Sequence, residues 1–109
     1  MATSYKVLGQ SNPSATTATT LYTVPSATEA VVSTITVCNQ AASAGTYRIA
    51  VRPDGASLAA QHYIAYDVSL PANATDTLTL GITINAADVI TVYASSASMS
   101  FNAYGSEIA

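Results

Sequence analysis

Between Asp76 and Tyr104 the chain alternates apolar and small polar residues, with almost no charge and only brief interruptions. Over residues 76–84, Leu78, Leu80, Ile82 and Ile84 fall on one side of the alternation and Thr77, Thr79, Gly81 and Thr83 on the other. Successive side chains of a β-strand point to opposite faces, so this pattern buries one face and leaves a flat, threonine-rich, nearly uncharged face outside. The same reading extends along the chain and predicts an all-β domain.

Eight strands are expected, at about 5–9, 19–24, 29–39, 45–53, 62–68, 76–84, 88–94 and 98–104, a spacing that fits an antiparallel β-sandwich or jelly-roll-like fold. Turn chemistry supports the divisions. Pro25-Ser26 closes the second strand, Ala44-Gly45 precedes the fourth, Pro53-Asp54-Gly55 follows it, and Pro71-Ala72-Asn73 precedes the sixth. The short links Asn85-Ala86-Ala87 and Ser95-Ser96-Ala97 predict that residues 76–104 form a three-stranded meander. Ala56 to Gln61 has the composition for one helical turn. Residues 11–20 are mostly Ser, Thr and Ala with one proline, so residues 1–20 are expected to form an extended N-terminal arm or loop-rich segment. With 109 residues and no repeat or linker, 1–109 reads as a single domain.

Charged residues are 8% of the chain, against about 25% in an ordinary soluble domain, and Ala, Thr and Ser fill the deficit. Such a surface costs little to desolvate and suits a protein packed against copies of itself or a larger body. Net charge is −3, with Lys6, Arg48 and Arg52 the only cations, which argues against a phosphate-backbone partner. In the fourth strand the two arginines alternate with Tyr47, Ile49 and Val51 and therefore share a face. No apolar run approaches the length of a membrane span, and Met1 to Gln10 lacks a signal-peptide pattern, so neither membrane insertion nor secretion by that route is expected. On that expectation the Asn73-Ala74-Thr75 acceptor pattern is coincidental. Cys38, the single cysteine, lies in the apolar run from Val31 and is read as core filler.

Chemistry-bearing motifs are sparse. His62, the one histidine, would need a serine and a carboxylate such as Asp67 or Asp88 to form a hydrolytic triad, yet no Gly-x-Ser-x-Gly elbow occurs. Asp54, Asp67, Asp76 and Asp88 are isolated from one another, unlike the clustered oxygens of a calcium loop, and the zinc ligand set is missing. The glycines are too dispersed for a phosphate loop. No catalytic residue, cofactor or metal is therefore assigned. Tyr47, Tyr63, Tyr66, Tyr93 and Tyr104 lie on or beside strands and open a second reading, a glycan-binding module that stacks sugars on tyrosine.

Tyr5-Lys6-Val7-Leu8-Gly9-Gln10, then Leu21-Tyr22-Thr23-Val24-Pro25 leading into Ala30-Val31-Val32-Ser33-Thr34, resembles small structural proteins of tailed bacteriophages, cyanophages among them. Residues 47–53, Val92-Tyr93-Ala94-Ser95 and Gly105-Ser106-Glu107-Ile108 extend the resemblance over most of the chain. It implies a non-enzymatic virion component with a β-sandwich fold. The leading expectation is a capsid decoration or cement protein, with a tail, baseplate or fibre component as the alternative. The implied location is the virion. The implied partners are the chain itself, as a trimer, and other virion proteins such as the major capsid protein, with no nucleic acid or membrane. Candidate assembly contacts are Tyr5, Lys6, Leu8, Leu21, Tyr22, Arg48 and Arg52.

Overall fold

Eight strands form close to the expected positions: β1 (Thr3–Ser11), β2 (Thr19–Thr23), β3 (Glu29–Asn39), β4 (Gly45–Arg52), β5 (Tyr63–Leu70), β6 (Thr75–Ile84), β7 (Val89–Ala94) and β8 (Met99–Ile108). The computed structural model describes residues 2–109. Two four-stranded antiparallel sheets result, a first of order β1-β8-β3-β6 and a second of order β2-β7-β4-β5. Every strand pairs with its mirror image in the chain: β1 with β8, β2 with β7, β3 with β6, β4 with β5. The chain is thus one long hairpin ribbon, turned back between β4 and β5 and rolled so that successive ribbon segments alternate between sheets. The β3–β8 and β4–β7 pairings complete the two sheets. This is jelly-roll topology within an all-β sandwich.

The rolled ribbon overturns the meander expected for 76–104. β6 and β8 lie in the first sheet and β7 in the second, so residues 85–88 and 95–98 arch between sheets and do not join neighbours within one. Alternation fixes which face of a strand is buried, but says nothing about which sheet the strand joins. The segment at Ala56 to Gln61 is likewise only partly helical, with 3-10 turns at Pro53–Gly55 and Ala60–His62 on either side of irregular backbone.

Side chains from both inner faces fill the core. Tyr47, Ile49, Ile90 and Val92 of the second sheet meet Ile35, Val37, Met99 and Phe101 of the first, all 1% exposed or less. The Tyr47 and Phe101 rings meet edge to face with centroids 6.1 Å apart, tying the sheets at mid-core. At one end Asn39 is buried, and its amide donates to the carbonyls of Ser43, Leu70 and Pro71 while its oxygen accepts the Ala41 N–H. That network satisfies a polar group which burial would otherwise penalise.

Two local expectations are corrected. Residues 3–11 are not a free arm but an edge strand paired with β8 from Thr3↔Ile108 to Ser11↔Phe101. The following loop is held by Asn12, whose amide donates to the Ala97 and Met99 carbonyls, and by the Thr16 N–H to the Ala94 carbonyl. These bonds, two from a side chain and one from the backbone, tie the loop to the 94–99 region. Cys38 is half-buried rather than core, because strand parity turns Val37 inward and Cys38 to the outer face.

Candidate functional site

The sandwich presents two outer faces, and they are built differently. On the first sheet, the outward positions are Thr34, Thr36 and Cys38 of β3, Thr75, Thr77 and Thr79 of β6, Ser100 and Asn102 of β8, and Tyr5 and Val7 of β1. Among the described residues, Glu29 at the start of β3 is the charged side chain on this face. Lys6 and Glu107 pair with each other at the rim, where Glu107 also accepts the Tyr22 hydroxyl of the second sheet at 2.5 Å.

A line of register breaks runs across this sheet. β1 carries an extra residue at Leu8, β3 one at Ser33 relative to β8, and β6 opposes Ser33 with Leu80 and Gly81. Such bulges bend a sheet. Gly81 adopts φ +65, and a side chain at Gly105 would collide with the Val31 carbonyl, so glycine is required at both points for different reasons. Beside the bend lies a trough of about 500 Å³ bordered by Tyr5, Val7, Val31 and Tyr104, with Tyr5 85% exposed.

The outer face of the second sheet is covered at one end and aromatic at the other. The 53–62 connection folds back over it. Arg52 donates to Thr91 Oγ1 at 3.0 Å and to the Ala56 carbonyl at 2.9 Å, so Ala50 and Thr91 are buried although they point outward. β5 then breaks register twice: Ile64 is extra between Tyr63 and Ala65, and Tyr66 and Asp67 together oppose Arg48. Asp67 sits at φ +50, a left-handed conformation that Asp tolerates better than most residues. The kink brings its carboxylate to Arg48, with Nε to Oδ1 at 2.7 Å and Nη2 to Oδ2 at 3.3 Å. The guanidinium lies 4.2 Å from the ring centres of both Tyr66 and Tyr93, and Tyr63 meets Tyr66 edge to face at 4.9 Å. Hydrogen bonding to Asp67 outweighs lost hydration and raises the Arg48 pKa above its usual value, so the guanidinium stays charged.

Candidate contacts fall into three groups. Tyr5 and Lys6 are exposed on β1. Arg48 and Arg52 share the outer face of the second sheet, as their alternation predicts, but both are engaged with neighbours. Leu21 and Tyr22 are buried and Leu8 packs against the core, so these three serve internal packing and are corrected as surface contacts. Alternation alone would bury only one of the adjacent Leu21 and Tyr22; the register break between Thr20 and Tyr22 accompanies burial of both, and Val24 just past the strand is buried as well.

Acid–base groups do not converge. His62 is buried, and its Nδ1 accepts the Ala59 N–H at 3.0 Å, which places the ring proton on Nε2. Asp67 is bound to Arg48, and Asp88 accepts the N–H groups of Asp54 and Asn85 at 2.8 Å each. Burial first, and then hydrogen bonding to Glu107 and Asp76 respectively, push the Tyr22 and Tyr47 hydroxyls above the usual phenol range, so both remain donors. Hydrogen bonds from Lys6 and then Tyr22 hold Glu107 below the usual carboxylate range. Among the described residues, no group of three or more His, Cys, Asp and Glu is placed to hold a metal ion. Searches for similar proteins find no matching family model, no matching curated protein and no matching solved structure.

The tyrosine–arginine cluster is the feature that sequence reasoning missed. Tyr63 and Tyr66 are three residues apart and would face opposite ways in an unbroken strand; the extra residue Ile64 puts them on one face.

Proposed function

We propose that the chain is a non-enzymatic structural component of a tailed-phage virion, a capsid decoration or cement protein that docks through the outer face of its first sheet. The observation that carries this reading is the breadth of that face without ionised side chains, Glu29 at its end excepted. Threonine and serine hydroxyls are cheaper to cover than charges, and the exposed Tyr5, Val7 and Tyr104 supply the apolar and aromatic anchors that interfaces favour. The sequence resemblance and the jelly-roll topology, common among capsid proteins, support the same reading.

In this role the protein bridges neighbouring subunits by burial, with copies of itself arranged as a trimer. The test is made on virions of a phage that encodes the chain. Antibody-labelled particles in electron microscopy should carry the label on the capsid, and Thr34→Lys with Thr36→Lys should remove the protein from purified particles without unfolding it. Label confined to the tail rejects decoration in favour of a tail component, and absence from the particle rejects both. Sedimentation of the purified chain tests the trimer separately.

A further inference from the structure

We propose that the outer face of the second sheet holds a binding site for an uncharged saccharide, seated on Tyr66 and Tyr63 in the hollow beside Leu58, Ala59 and Ala60. This inference concerns the face opposite the docking surface and does not depend on the virion reading.

Four observations converge on it. The hollow is about 630 Å³, within the range of small-molecule sites. Tyr66 is 57% exposed and Tyr63 is partly so, which leaves aromatic surface open for the C–H face of a sugar ring. The Tyr22 and Tyr47 hydroxyls are committed to carboxylates, whereas those of Tyr63, Tyr66 and Tyr93 bond no protein group among the described residues and are free to meet sugar hydroxyls. Finally, Arg48, the cation of the aromatic platform, is already paired with the Asp67 carboxylate, whereas Arg52 bonds only neutral acceptors, Thr91 Oγ1 and the Ala56 carbonyl. The stacked platform itself therefore presents no uncompensated charge, and a neutral polyol needs none.

The platform is also rigid before any ligand arrives. Arg48 stacks between Tyr66 and Tyr93, Tyr63 buttresses Tyr66, and the double register break in β5 sets their directions. Holding aromatic rings in place in advance lowers the ordering cost of binding.

The probes are neutral gluco-, galacto- and manno-configured di- to tetrasaccharides, a sialylated trisaccharide and a proline decamer. Each is titrated against the full chain by calorimetry and by NMR shifts of the tyrosine rings. At least one neutral oligosaccharide should bind below about 10 mM, and Tyr66→Ala should weaken it at least about tenfold, the scale of a lost aromatic contact. Tyr66→Phe, which keeps the ring and the fold, should weaken it only a few-fold, and Tyr104→Ala on the opposite face should leave it unchanged. The proposal is overturned if no neutral sugar binds at that concentration, if binding survives Tyr66→Ala, or if the sialylated probe or the proline decamer is preferred.

Discussion

The two outer faces of this sandwich share a strand count and an architecture, yet solve exposure in opposite ways. The first is left bare and nearly uncharged, bent by a line of bulges and bordered by free tyrosine. The second is covered at Ala50 and Thr91 by its own 53–62 connection and fixed elsewhere by an arginine between two rings. A nearly uncharged, uncovered sheet face invites a broad partner, whereas a face partly covered by its own chain suits a small one.

Five substitutions sharpen or break that contrast. The largest effect is expected at Gly105→Ala in the bend of the first sheet, where the added carbon meets backbone; unfolding in urea should show a loss of about 3 kcal/mol. A neutral result would mean the bend is soft and the face adaptable. Next, Ala50→Leu should cost about 2 kcal/mol by overpacking the covered face, while Thr36→Leu on the bare one should stay within about 0.5 kcal/mol. Equal costs would erase the distinction between covered and bare. Gly81→Ala meets open space but a left-handed backbone, so calorimetric melting should register about 1 kcal/mol, a conformational cost rather than a collision.

Smallest is Glu107→Gln at the rim joining the sheets. Because Lys6 and Tyr22 lower the folded Glu107 pKa, its contribution is complete above the unfolded glutamate pKa of about 4.3 and is lost as pH falls through the folded value. The stability gap between wild type and variant should therefore be present at neutral pH and close under strong acid. A gap that persists in acid would assign the effect to packing.

Strand positions were legible because alternation and turn residues are local signals: β3, expected at 29–39, is found there, and β4 and β7 differ from expectation by one residue at one end. What escaped was whatever depends on pairing. Nothing in Asn85-Ala86-Ala87 distinguishes a hairpin from an arch, since both need only a short polar link. The extra residues Leu8, Ser33 and Ile64 are not themselves glycine, although Gly9, Gly81 and Gly105 border the first two breaks, and each changes which side chains share a face. Asn39 looked like a strand end and is in fact the buried hub of four hydrogen bonds.

The mirror pairing of the ribbon also sets an order of events in time. The second sheet, β2-β7-β4-β5, takes all its strands from residues up to 94, but β8 lies between β1 and β3 and, among the described residues, is the one sheet partner of β1. While the chain is being synthesised, the first sheet is reduced to β3 and β6 until residues 99–108 emerge, and such long-range closure is slow. The bare face is therefore completed last, and only on chains translated through β8, so a product terminated before residue 99 offers a partner no more than its β3–β6 half.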